Sequence, residues 1–475
     1  MKRRKTCCQW AAASAAALLM TLVPAGCAPA ATESDALSEV SGAESVSSDV
    51  AESVVLPADK YSPKCAVDDV VYRTGLCISE LQTYYNTPVK QTRERLQLYK
   101  ELGFETIRGE TYWASFEMNE GTFNNPSQQM FFHTAKEEGF HFKMILGTFM
   151  AVPNWYYAKY PDSRMKDHTG TDALMTVSYF APNLREYMTE ALDQMMAYMQ
   201  KTGLLDVIDT LPIDCGPAGE GLYPAGWTQS PGGADDITVE DRFWGHDVYS
   251  QQNFRETMQG KYGTIAAANA AWGKSYSSFD EVEVPKPGGP GGGIWADYLQ
   301  WYRDSNNNFV EEQVKMYQAA VDKYTNGRIK LIMYLPGHDI RDEEWQQALE
   351  SGDGPVAVRI MADTRHKIEL AKEYGCWLQF TGFEVASETK YIRDYMDANG
   401  AGDIPYFGEN AGQSNIVKNS SAYFAILRQN GMAGVDLTHS RFLFENYDGM
   451  TPVSNIDKLK VNMRILKNYL RPEAG

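Results

Sequence analysis

Apolar, β-favouring runs recur along this chain with helix-length stretches between them, and this rhythm limits the possible folds more than any other feature. Strands separated by helices run parallel, because a long crossover is needed to bring the chain back to the same end of a sheet. The runs fall at 70–79, 105–113, 141–148, 207–215, 329–335, 376–383, 404–408 and 434–438. Eight parallel strands close on themselves, so the expected fold class is α/β, a (β/α)8 TIM barrel with a long insertion after the fourth strand. Val89 to Leu102 and Asn183 to Thr202 carry apolar residues at helical spacing and stop at Gly103 and Gly203, and a last helix is expected near 455–470. The insertion includes the glycine- and proline-rich stretch from Pro285 to Gly293 and is expected to form a wall of the site rather than a second domain.

Ahead of the barrel the composition changes twice. Lys2, Arg3, Arg4 and Lys5 precede an apolar stretch over 10–24 that is too short for a stable membrane span, the pattern of an export leader covering 1–27. Leu22-Val23-Pro24-Ala25-Gly26-Cys27 resembles a bacterial lipobox, with Cys27 as the residue that takes the lipid and Pro24 where such motifs prefer Leu. Residues 28–58 are rich in Ser, Ala, Glu and Val and hold no aromatics, so they read as a disordered tether, leaving 59–475 as the barrel domain. The expected location is the outer face of a bacterial membrane, held by lipid, with plain secretion as the alternative.

A formal net charge of −18 disfavours nucleic acid and anionic membrane surfaces as partners, so a neutral carbohydrate fits better and the lipid anchor is the expected membrane contact. Aromatic residues near strand ends offer flat faces for sugar rings, although most are expected in the core. Cys65 and Cys77 are open to a disulfide if their Cα atoms approach, while Cys215 and Cys376 read as buried thiols. There is no CxxC pair and no HExxH, so no metal or other cofactor is implied; oligomeric state is not legible.

Two phrases place a carboxylate just past a strand: Asp214-Cys215-Gly216-Pro217-Ala218-Gly219-Glu220 and Phe380-Thr381-Gly382-Phe383-Glu384. In a parallel barrel the C-terminal strand ends form the mouth where catalytic groups gather. Two carboxylates across such a mouth suffice for glycoside hydrolysis, one protonating the leaving oxygen and the other acting from the opposite face. His338, at the fifth strand end, is a further candidate sugar contact.

Along most of the barrel the chain resembles the family 14 glycoside hydrolases, the β-amylases. Gly216-Pro217-Ala218-Gly219-Glu220 followed by Tyr223-Pro224 is similar to the phrase that carries their general acid, and Phe380 to Glu384 is similar to the phrase read as ending in their general base. Gly408-Glu409-Asn410-Ala411 matches their Gly-Glu-Asn-Ala strand end, and Glu110, Trp113 and Glu117 stand where the family has Asp, Trp and Glu. The resemblance implies hydrolysis of an α-glucan or another neutral oligosaccharide with inversion. Glu220 is then the acid and Glu384 the base, with Glu110, Trp113, Tyr223, Glu409 and Asn410 at the substrate.

The chain departs from that family where Leu146 to Trp155 replaces the loop that carries its lid and Asp, around Glu350 to Gly354, and where Pro336-Gly337-His338-Asp339 replaces a lysine-bearing strand end. A weaker resemblance to the family 42 β-galactosidases lies in Arg108-Gly109-Glu110, Val152-Pro153-Asn154-Trp155 and Tyr262 to Gly273, and implies a retaining pair of Glu220 and Glu409. A sugar-binding lipoprotein without catalysis is the alternative of another class. It would need two α/β lobes and a hinge.

Overall fold

The computed structural model describes residues 61–124, 126–214, 219–224, 242–410, 415–446 and 449–472. The expected leader with Cys27, the tether, Cys215, the lead-in Gly216-Pro217-Ala218 and Ala411 lie outside the described residues.

Eight strands form one closed parallel barrel in chain order: β1 (Leu76–Ser79), β2 (Thr106–Tyr112), β3 (His141–Gly147), β4 (Ile208–Pro212), β5 (Lys330–Leu335), β6 (Trp377–Phe380), β7 (Tyr406–Glu409) and β8 (Gly434–Leu437). Each is shorter than or equal to its apolar run, because strand pairing stops where the chain turns to reach its helix. The largest trimming is at the first. Val70 to Thr74 belong to a helix, Asp69–Thr74, because Asp68 caps it by accepting from the amides of Val70 and Val71. Arg73 from this helix and His141 from β3 both reach Asp209 on β4, at 2.8 and 3.1 Å, which ties the helix to the N-terminal strand ends, opposite the catalytic mouth.

The expected helices form over Val89–Leu102 and Leu184–Lys201, and Gly103 ends the first with φ 96°, a conformation that glycine adopts without steric cost. Apolar faces of the helices and outward residues of the strands, among them Leu96, Ile107, Phe142, Leu211 and Leu378, build the main core. The segment between β4 and β5 supplies helices Val248–Tyr262, Ile265–Trp272 and Gly293–Thr325. Their aromatic residues, with those following β3, make a second core that includes Phe149, Tyr179, Tyr298 and Tyr302. A two-stranded antiparallel ribbon, Arg164–Lys166 with Asp172–Val177, belongs to this layer.

Cys65 and Cys77 are free, so no bridge joins them; Cys77 lies on β1 and its thiol is fully buried. Cys376 is a buried free thiol immediately before β6.

Candidate active site

Isolated polar residues interrupt the apolar strands, and closure of the barrel brings them together. Lys143 on β3 donates to the Gln379 amide oxygen on β6 at 2.5 Å, a bond between non-neighbouring strands that must cross the lumen. The Gln379 amide nitrogen donates to Glu409 at the end of β7. Arg108 on β2 donates to the other Glu409 oxygen at 2.5 Å, and the Thr438 hydroxyl donates to that same oxygen at 3.3 Å. Asp436 on β8 completes the layer: Ser79 donates to it at 2.6 Å, and Lys143 and Arg108 lie 3.5 and 3.6 Å away. Unpaired, any of these charges would be expensive to bury; paired, they form one connected network. Burial pushes the Glu409 carboxyl up, and the Arg108 guanidinium opposes that push. Although burial also works against ionisation of Asp436, Lys143 and Arg108 hold its carboxyl below the usual range.

Glu220 enters the mouth on a turn beyond β4. Gly219 and Gly221 flank it with φ 75° and 62°, so the carboxylate projects from a backbone that a Cβ-bearing residue adopts only under strain. The turn is fastened from several sides. Lys367 donates to the Glu220 carbonyl at 2.7 Å, Asn306 to the Gly221 carbonyl at 3.1 Å, and the Tyr223 amide to the Ile360 carbonyl at 3.0 Å. At the side chain, Thr381 donates its hydroxyl to a Glu220 oxygen at 2.5 Å. Burial pushes the Glu220 carboxyl up to about 7; the Thr381 hydroxyl works against the push and the charge of Glu409 adds to it.

Thr381 stands in the turn that follows β6, three residues ahead of Glu384, with its amide donating to the Leu335 carbonyl at 3.0 Å. This turn and the one bearing Glu220 therefore meet at the mouth. Glu384 itself is half-buried.

The remaining predicted residues separate into those that face the mouth and those that pack. Glu110 is partly exposed on β2 and accepts from Gln82 and Tyr112, each at 3.1 Å, with Arg108 3.6 Å away. His338 is partly exposed just beyond β5. Trp113 is instead 0% exposed: its indole N–H donates to Glu117 at 2.6 Å while its ring packs on Trp155, Tyr156 and Tyr187. Tyr223 is 1% exposed and stacks on Tyr302 at 3.8 Å. Both rings pack in the second aromatic core rather than opening to the mouth. Asn410, 1% exposed, donates to the Thr438 carbonyl and accepts from its amide at 2.7 Å, so its side chain is spent on holding β7 against β8.

Sequence reasoning missed Arg108, Gln379, Thr381 and Asp214. The signal for the first two was present, a single charged or amide residue inside an otherwise apolar strand run. Asp214, just past β4, accepts from the amides of Phe149 and Met150 at 2.7 and 2.9 Å, and burial pushes its carboxyl up to about 6. It thereby pins the segment that stands in place of the lid loop.

The sequence model of glycosyl hydrolase family 14 matches residues 81–390, from before β2 to beyond the Thr381 turn. The chain belongs to glycosyl hydrolase family 14. Among its relatives, this family 14 chain is similar to the thermophilic beta-amylase of Thermoanaerobacterium thermosulfurigenes, 23% identical over 369 residues, which cover 71% of this chain and 63% of that protein. The chain thus spans under two thirds of that relative's length. Among solved structures, its barrel superposes on the catalytic domain of beta-amylase from Paenibacillus polymyxa with a TM-score of 0.64 at 19% identity, covering 82% of this chain and 98% of that one. The beta-galactosidase of Marinomonas ef1 follows with a TM-score of 0.54 at 13% identity, over 83% of this chain and 59% of that one. These likenesses agree on the (β/α)8 barrel.

Proposed function

We propose that this family 14 chain hydrolyses glycosidic bonds of an α-glucan or a related neutral oligosaccharide, with Glu220 as general acid and Glu409 as the carboxylate that works with it. What supports the pairing is geometric: both carboxylates stand at C-terminal strand ends of the barrel in different surroundings, Glu220 on the Thr381 hydroxyl and Glu409 on the Arg108 guanidinium. Two carboxyl groups that sense each other across a barrel mouth divide the work when their surroundings differ. Glu220, pushed up to about 7, keeps its proton near neutrality and can give it to the leaving glycosidic oxygen. Glu409 has the Arg108 guanidinium against it, which opposes the upward push of burial, and it takes the proton of an attacking water. Water adds to the anomeric carbon as the bond to the leaving oxygen breaks, so an α-linked substrate releases a β-anomer.

This assignment moves the base from Glu384 to Glu409. Glu384 keeps a second reading, because its turn supplies the Thr381 hydroxyl that touches Glu220. The retaining scheme uses the same Glu220 and Glu409 with Glu409 as nucleophile, and it differs in carboxyl separation, roughly 5–5.5 Å against 6.5–9.5 Å for inversion.

One experiment separates them. Products from a glycan panel are followed by proton NMR from the first turnover, for the wild type and for Glu384→Gln and Glu409→Gln. The expected result is an inverted first product and loss of turnover in Glu409→Gln only. A retained product overturns the water mechanism, and an inactive Glu384→Gln beside an active Glu409→Gln returns the base to Glu384. Export and lipid attachment at Cys27 complete the proposal, supported by the leader-like composition of 1–27. Mass spectrometry of the mature N-terminal peptide tests it.

A further inference from the structure

Tyr334 lies against the turn that bears Glu220 and pairs with Gln379 beside Glu409, and the proposed chemistry does not use it. It sits one residue before the end of β5 and is 3% exposed, with its ring in the lumen among Ile332, Trp377 and Phe407. Three contacts locate it. A Cβ placed on Gly219 would meet the ring at 3.3 Å, so the turn bearing Glu220 lies directly against it. Its register partner on β6 is Gln379, whose amide donates to Glu409. The charged groups around it are Arg108, Glu409 and Asp436. The phenol therefore spans from the acid's turn to the network around the second carboxylate.

Its hydroxyl is buried and has no hydrogen-bond partner among the described residues. The neighbouring Glu409 oxygens accept from Arg108, Thr438 and Gln379, and the phenol is not among these donors. A buried tyrosine hydroxyl normally has a partner, and leaving one without costs stability. Phenylalanine would fill the same lumen at no such cost, so a role in packing does not account for the oxygen.

We propose that the Tyr334 hydroxyl is a catalytic contact, a hydrogen-bond partner for a hydroxyl of the glycosyl unit held between Glu220 and Glu409. This rests on the proposed assignment of those two residues. The bond forms only with the sugar in place, and it aligns the ring undergoing cleavage, so its energy is realised mainly in the transition state.

The test is Tyr334→Phe, which removes one oxygen and leaves the ring. It is assayed on whichever glycan the wild-type chain turns over fastest, alongside Glu220→Gln as the control for the parent reading. The expected result is a fall in kcat/KM of about 10- to 100-fold, carried mostly by kcat, with a thermal midpoint equal to or above that of the wild type. A purely structural hydroxyl would instead lower the midpoint and spare kcat. Unchanged kinetics in Tyr334→Phe with an inactive Glu220→Gln overturns the inference and leaves the parent reading standing. Full activity in Glu220→Gln, or a wild type that cleaves no glycan, overturns both. Should Tyr334→Phe fail to fold, the hydroxyl is structural and the inference is overturned.

Discussion

Glu220 stands on a glycine-flanked turn with the Thr381 hydroxyl at its carboxylate, whereas Glu409 ends a lumen-facing strand and accepts from Arg108, Gln379 and Thr438. Burial raises the proton affinity of both; at Glu409 the Arg108 guanidinium on the carboxylate opposes it, and at Glu220 the Thr381 hydroxyl and the charge of Lys367, which binds the backbone carbonyl, do so. One residue type thereby meets two surroundings that differ in kind, which is what the proposed division of tasks rests on. The acid is held by its backbone, through Lys367, Asn306 and the two glycines, while the second carboxylate is held by its own oxygens.

The sharpest break in this comparison is removal of the acid's proton. Glu220→Gln keeps the shape of the turn and is expected to lower kcat by about 10²–10⁴-fold on unactivated glycans while sugar affinity holds; steady-state kinetics with calorimetric binding measure both. Wild-type rates at neutral pH would remove Glu220 from the chemistry.

Next comes the cation. Arg108→Met leaves Glu409 without its guanidinium in the lumen, while Asp436 keeps Lys143, and stability in urea is expected to fall by roughly 3–5 kcal/mol, because an unpaired buried charge costs more than the pair gives. A change too small to measure would mean that the network is not held by Arg108.

The acid's environment is tested more gently by Thr381→Val. The hydroxyl opposes the upward push on Glu220, so its loss raises that carboxyl further and the alkaline limb of the pH–rate profile moves to higher pH. A limb that moves down, or a rate that collapses at every pH, would contradict this arrangement.

The smallest effect is on stability. Glu220 has a folded value of about 7 against an ordinary 4.5, so the folded chain holds more protons than the unfolded one between those values, and its stability falls as pH rises through that window. Asp214, at about 6 against 3.8, adds a fall of the same sign at lower pH. Glu220→Gln should flatten the upper part of that slope in thermal unfolding scans across pH. An unchanged slope would place the Glu220 carboxyl near its ordinary value.

Much of the scaffold was legible in advance. The apolar runs located all eight strands, and Gly103, with the helical spacing ahead of it, fixed the end of Val89–Leu102. The first strand was overextended because Asp68 caps a helix through local side-chain bonds that periodicity does not register. That Trp113 and Tyr223 pack in the second core has a different reason. An aromatic residue near a strand end looks alike whether it faces a ligand or a second core, and here the segment after β3 supplied Trp155, Tyr156 and Tyr187 around Trp113 while the insertion after β4 supplied Tyr302 against Tyr223.

By itself the sequence determined the parallel barrel, the glycine-bound position of Glu220 and membership in its family, since these depend on local order along the chain. The surroundings that distinguish Glu409 from Glu384 as a candidate partner of Glu220 come only from the tertiary structure. Glu384 and Glu409 both follow strands and are equivalent candidates in one dimension. What distinguishes Glu409 is a guanidinium 301 residues away in sequence and an amide 30 residues away, brought to its two oxygens by closure of the barrel. Alternation tells a strand residue which face it occupies, but the partner waiting across the lumen is fixed by register and closure, which involve all eight strands at once.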